Sequence, residues 1–180
     1  MKQFILVISL LIYFTGYSQG VSLSEARAIF FSAGKDPSAM LRLYKLMNVK
    51  GQNLVPVLLA YRGASTAASS GEVNGVLNKF NLFKRGKADL EQAILFDPKN
   101  PEIRFLRLAT QTNAPGFLFY KSDIVEDKKI VLEGLPGILA KETDRPTAMN
   151  IAKSLSGFKC LSAREKQIVN QLSMHYEQNN

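Results

Sequence analysis

The sequence predicts an all-α domain of seven or eight helices packed as successive antiparallel pairs. Three observations carry this expectation. Apolar residues recur at three- and four-residue spacing along most of the chain beyond residue 22. Helix-start chemistry precedes those runs, as Ser22 with Glu25, Asn100 with Pro101, and Ser162 with Glu165. No period-two run lies between hairpin signals, so little or no sheet is expected. A chain of 180 residues that is 46% hydrophobic is long enough for one sizeable core.

The first segment, MKQFILVISLLIYFTGYSQG, has a basic start at Lys2, an apolar run from Phe4 to Phe14, and small residues at Gly16 and Ser18. This is the anatomy of a secretory signal peptide over residues 1–18, cleaved after Ser18. The run falls short of the roughly 20 residues a spanning helix needs. Residues 19–176 then form a single helical domain, with 177–180 as a frayed tail. The expected location is the periplasm or cell surface of a Gram-negative bacterium. The chain has one cysteine, Cys160, so it has no disulfide framework of its own. A buried, inert thiol is the expectation for it, with an intermolecular disulfide as the alternative.

The elements follow in order. SLSEARAIFFSA opens on the Ser22–Glu25 capping box, and Leu23, Ala26, Phe30 and Ala33 share a face. KDPSAMLRLYKLM places Asp36 as cap and Pro37 at the first helical position, with Met40, Leu43, Tyr44 and Met47 as the apolar face. In LVPVLLAYRGASTAASSG, Ala60, Gly63, Ala64, Ala67 and Gly71 form a small-residue stripe. Gly63 costs about 1 kcal/mol of helix propensity, which close approach of another helix would offset. Arg62, Ser65, Thr66 and Ser69 lie beside it, as a polar lining around an arginine or as a solvated face.

From Val73 to Ile94 one period runs through Val76, Leu77, Phe80, Phe83, Leu90 and Ala93, interrupted by Gly86. It is one long helix bent near Gly86, or two helices joined near Asn81. Pro98 closes it, Asn100 caps the next helix, and Glu102 sits near that helix's positive end. APGFLFYKSD is a break. Asp123 with Glu126 reads as a capping box for a helix ended by Gly134, with LPG at 135–137 as a turn. DRPTAMNIAKSLSG and LSAREKQIVNQLSMHY give two final helices.

The inventory for chemistry is thin. His175 is the one histidine and lies near the C-terminus, so a catalytic triad or a histidine metal site has little to build on. No phosphate-binding glycine loop, paired cysteines or calcium loop occurs. The acidic cluster Asp123, Glu126 and Asp127 is explained by the dipole at a helix N-terminus. No catalytic, cofactor-binding or metal-ligating residue is therefore assigned, and no cofactor is expected. A carboxylate pair for sugar hydrolysis remains as the enzymatic alternative. The formal charge of +8 is scattered over the chain, so it reads as solvated surface and not as a nucleic-acid footprint.

Arg104, Arg107 and Gln111 share one helical stripe. Together with Arg62 they are the candidate partner-binding residues. Arg104 and Arg107 could grip a carboxylate or phosphate of a partner, or pair with Asp89 or Glu91 and lock the adjacent helices.

Gly86, Leu90, Ala93 and Pro98, followed by KNPEIRFLRL, give the run 84–109 a local pattern. It resembles the second helix of a tetratricopeptide repeat and the start of the next repeat. LEQAILFDPKNPE is its most telling part. Ser70 and Asn74 stand where that family's first helix carries its large aromatic and its glycine, so the resemblance is to a degenerate repeat. It implies a right-handed array of helix pairs with a concave groove for a peptide or protein. The expectation is an exported, non-enzymatic interaction protein that binds a peptide, a protein or an envelope component in a helical groove. The alternative is a basic protein attracted to anionic envelope lipid or polysaccharide.

Overall fold

A computed structural model describes residues 20–49 and 53–178. The expected signal peptide, 1–18, lies outside the described residues. Within them all regular structure is helical and no strand occurs. The helices are α1 (Leu23–Ser32), α2 (Ala39–Met47), α3 (Pro56–Ala68), α4 (Val76–Phe96), α5 (Pro101–Asn113), α6 (Ile124–Leu139), α7 (Arg145–Gly157) and α8 (Ala163–Gln178). Short 3-10 turns at Ser69–Glu72 and Gly116–Leu118 follow α3 and α5. The all-α class and the number of helices are as the sequence predicts.

Each helix packs on its neighbour in sequence, and α3 also touches α1 and α5. One contiguous core draws on all eight helices, from Ala26, Leu43 and Tyr61 through Leu90 and Leu106 to Leu135, Ile151 and Val169. A second cluster of Ala67, Phe83, Ala114 and Tyr120 seats the segment after α5 against α4.

The most extensive helix pair is α3 with α4. Its closeness comes from the small residues. A Cβ built on Gly63 would lie 2.7 Å from the Gly86 carbonyl oxygen, and one built on Gly86 would lie 2.5 Å from the Gly63 oxygen. There is thus no turn near Asn81 or Gly86. Gly86 lies inside one continuous helix, at the point where two backbones nearly touch. That helix starts at Val76 and not at Val73, because Gly75 takes a left-handed φ of 85° just before it.

Local caps hold where their partners are local. Asn100 Oδ1 accepts from the backbone N–H groups of Glu102 and Ile103 at 3.0 and 3.2 Å. Ser162 and Glu165 form their reciprocal pair, at 2.7 and 3.3 Å. Ser22 Oγ accepts from the Glu25 N–H. The hydrogen-bonded Lys128 ammonium, with the hydrogen bonds of Ser162, holds the Glu165 carboxyl down at about 2.

Four expectations are corrected. The second helix begins at Ala39, later than Pro37, because Asp36 turns its carboxylate to Ser38 and Arg42. Asp123 does not cap α6; its carboxylate accepts from Ser122 and Gln111. Gly134 does not end α6, and LPG is not a turn. The helix runs on through Pro136 to Leu139, because Leu135 and Leu139 are fully buried and Gly134 gives Pro101 its seat. Tertiary burial here outweighs a proline cost of about 3 kcal/mol. The stripe of Ser65, Thr66 and Ser69 is buried between helices and is not a solvated face.

Candidate binding groove

The four candidate residues all lie in contacts between helices. Arg62 of α3 makes a two-pronged pair with Asp89 of α4, at 2.7 and 2.9 Å. Arg107 of α5 makes another with Asp127 of α6, at 2.7 and 2.8 Å, and its third nitrogen donates to Glu91 of α4 at 2.6 Å. Arg104 donates to Asp127 and to the Pro98 carbonyl, at 2.9 and 2.8 Å, and pairs with Glu126. Gln111 is buried; its amide donates to Asp123 at 3.4 Å, and its oxygen has no protein partner. Tyr120 closes the chain by donating to Glu91 at 2.8 Å.

These are the bonds that the locking arrangement requires. Of the two carboxylates expected for Arg104 and Arg107, Glu91 takes Arg107, while Asp89 takes neither and pairs with Arg62. The central acceptor is Asp127, for which the sequence pattern offers only a dipole-stabilised acid. Burial lowers the Arg107 pKa, but the hydrogen bond and charge of Asp127, aided by Glu91, outweigh it and hold the guanidinium charged.

A second knot escaped the sequence altogether. Glu102 of α5 accepts two bonds from Arg27 of α1, at 2.8 and 2.6 Å, and one from the Tyr61 hydroxyl of α3, at 2.8 Å. Arg27 also reaches Asp144, the residue before α7, at 3.2 Å. Three helices, α1, α3 and α5, thereby meet at one carboxylate, and Arg27 extends the knot to the start of α7. Burial, and then the Glu102 charge, push the Tyr61 phenol well up, so it remains a donor.

Above this knot opens a groove of about 1510 Å3. Its walls come mainly from α1, α3, α4, α5, the 116–118 turn and α7, with Met40 of α2 and the turn after α3 adding to them. Seven of the chain's 11 phenylalanines line it. Phe31 stacks on Phe105 at 5.9 Å, Phe105 stacks on Phe158 at 6.1 Å, and Phe30 meets Tyr61 edge-on at 5.4 Å. Ala64, Ala67 and Ala68 leave room on the α3 side. The ionisable residues of the lining are Lys35, Lys79 and Lys153, with no carboxylate among them. Ser32, Thr110 and Ser154 also line it; each hydroxyl donates to a carbonyl of its own helix, which leaves its lone pairs as acceptors.

The α5 helix therefore has two working faces. Arg104 and Arg107 bind its back to α4 and α6, while Phe105, Ala109 and Thr110 face the groove. A smaller hollow of about 410 Å3 lies between α7 and α8, around Met149 and Tyr176. Among the described residues no group of three or more His, Cys, Asp or Glu is placed to hold a metal ion, and no helix is long and apolar enough to cross a membrane. Cys160 is half-buried at the edge of the core, where burial pushes its thiol pKa up. No protein-family model, curated protein or solved structure matches the chain.

Proposed function

We propose that this is an exported, non-enzymatic binding protein whose groove holds an acidic, apolar stretch of a partner polypeptide. The observation that carries the reading is the groove itself: about 1510 Å3, walled by phenylalanine and alanine, with lysine as its only ionisable lining residue. That volume exceeds the roughly 300–1,000 Å3 typical of small-molecule sites, so it suits an extended ligand. An amphipathic helix laid into an apolar groove buries its anchors at i, i+3, i+4 and i+7. The lysines select a partner segment that carries acids beside those anchors. The resemblance of 84–109 to a tetratricopeptide repeat supports the same kind of partner. Export rests on the character of residues 1–18.

The chain contains no tryptophan, so one placed at Ala109 in the groove wall reports without background. The Ala109→Trp protein is titrated with an amphipathic Leu/Glu peptide and with its Leu/Lys counterpart. The acidic peptide is expected to saturate with a blue shift that survives high salt, and the basic one to bind far more weakly. Absence of a saturable response to either peptide refutes the reading. A response abolished by salt supports diffuse surface attraction in its place.

A further inference from the structure

At the mouth of the groove the protein leaves large apolar side chains in water. Val76 and Leu77, in the first turn of α4, are 85% and 70% exposed, and Phe117 and Phe119, just after α5, are 72% and 87% exposed. Val76 and Phe117 both line the groove, and the two segments touch further along α4. Phe83 meets Tyr120 edge-on at 5.7 Å, and Leu118 packs on the same cluster. Along 117–120, Leu118 and Tyr120 turn inward while Phe117 and Phe119 turn out. Phe119 is held at a φ of 47°, the one left-handed non-glycine among the described residues. A bulky side chain avoids that region, and here it gains no burial within the chain in return.

Cations surround this apolar tip. The Lys84 ammonium lies 5.5 Å over the Phe80 ring, and that of Lys87 lies 4.7 Å over Tyr120. Lys79 stands on the same helix and Lys121 follows Tyr120 directly, while Arg85 turns away to Asn48 at 3.4 Å. The acids on these elements are Glu72, in the turn before α4, Asp123, which is engaged with Ser122 and Gln111, and Asp89 and Glu91 of α4, which are engaged with Arg62 and with Arg107 and Tyr120. Aromatic and aliphatic side chains ringed by lysine are the composition that settles at the boundary of an anionic bilayer, with the rings among the acyl chains and the ammonium groups at the headgroups.

We propose that this tip, formed by Val76, Leu77, Phe117 and Phe119, docks the protein peripherally on a membrane bearing anionic lipid. Val76 and Phe117 also line the groove, whereas Leu77 and Phe119 do not, so substitutions at Leu77 and Phe119 read docking apart from whatever the groove holds.

The test uses a Leu77→Trp variant, whose tryptophan is the only one in the chain. It is mixed with vesicles of equal parts phosphatidylglycerol and phosphatidylcholine, or of phosphatidylcholine alone. A blue shift and co-sedimentation with the anionic vesicles only is the expected result. Adding Phe119→Asn should weaken partitioning by roughly tenfold, through the loss of one inserted ring. The asparagine relieves the left-handed strain, so its melting temperature should not fall and unfolding cannot account for the loss. Lys84→Glu with Lys121→Glu should abolish the preference for anionic vesicles. Equal binding to both vesicle types, or to neither, overturns the proposal. So does a blue shift that grows with protein concentration in the absence of lipid, because a second copy would then be covering the tip.

Discussion

Replacing Gly86 with alanine sets two effects of opposite sign against each other. Helix propensity alone favours the change, since alanine is worth about 1 kcal/mol over glycine inside a helix. Packing opposes it. The new Cβ would stand 2.5 Å from the Gly63 carbonyl oxygen, and it would also meet the Ala67 amide nitrogen. Non-bonded heavy atoms need about 3.5 Å, so α3 and α4 must part by roughly 1 Å. The obstruction is backbone and cannot rotate aside. A gap of that size forfeits about a quarter to a half of each dispersion contact across the pair. Overpacking of this kind costs about 1–3 kcal/mol, and the rigid obstacle puts Gly86 at the upper end. After the propensity gain, a net loss of about 2 kcal/mol remains, or roughly 4–8 °C in Tm for a domain of this size. Urea unfolding followed by far-UV circular dichroism measures it. Gly63→Ala should behave alike, and the double variant should lose less than the sum, because the helices part only once. A neutral or stabilised Gly86→Ala would refute the close approach.

Other outcomes follow from particular contacts. Asp127→Ala strips Arg104 and Arg107 of their common acceptor and should cost about 3–5 kcal/mol by urea unfolding, as for other buried pairs broken on one side. Phe119→Asn should stabilise by about 1 kcal/mol, because asparagine tolerates the left-handed region and little burial is lost. The Glu165 carboxyl, held at about 2 against an ordinary 4.5, favours the folded state fully above the ordinary value. That contribution fades as pH falls from 4.5 towards 2. Its NMR titration midpoint should lie near 2, and Glu165→Gln should flatten the acid limb of stability. Protein recovered from the periplasmic fraction should begin at Gln19; an intact N-terminus there would count against cleavage after Ser18.

What was legible in the sequence was local. Asn100 caps α5 and Ser162 caps α8 because each partner lies within three residues, so spacing alone identifies them. Gly63 was legible as a close-packing residue because a glycine inside a helix costs stability without a neighbour to justify it. The end of α6 was not legible, since Pro136 is tolerated only through the burial of Leu135 and Leu139 by other helices. Asp127 already had a sufficient local explanation in the helix dipole, and its arginines stand 20 and 23 residues earlier in the chain. Glu102 was hidden in the same way, as a first-turn acid. The groove was hidden because Phe80 and Phe105 carry the same helical period as core residues such as Leu90. Periodicity places a side chain on a face, but it does not say whether another helix or a cleft lies opposite. The one available hint was the crowding of phenylalanine at 30–31 and 80–83 beside runs of alanine and serine.

The two ionic knots have a consequence in time as well as in energy. Glu102 joins α1 and α3 to α5 and reaches the start of α7 through Arg27, and Asp127 joins α6 to α5, with Glu91 of α4 held through Arg107. The helices that wall the groove are thus fastened to one another before any occupant arrives. On the proposed function, a cleft already in its final shape would make arrival a matter of collision, quickened for acidic partners by the lysines at its edge and slowed by added salt. Competing partners should then differ little in how fast they enter and widely in how long they stay.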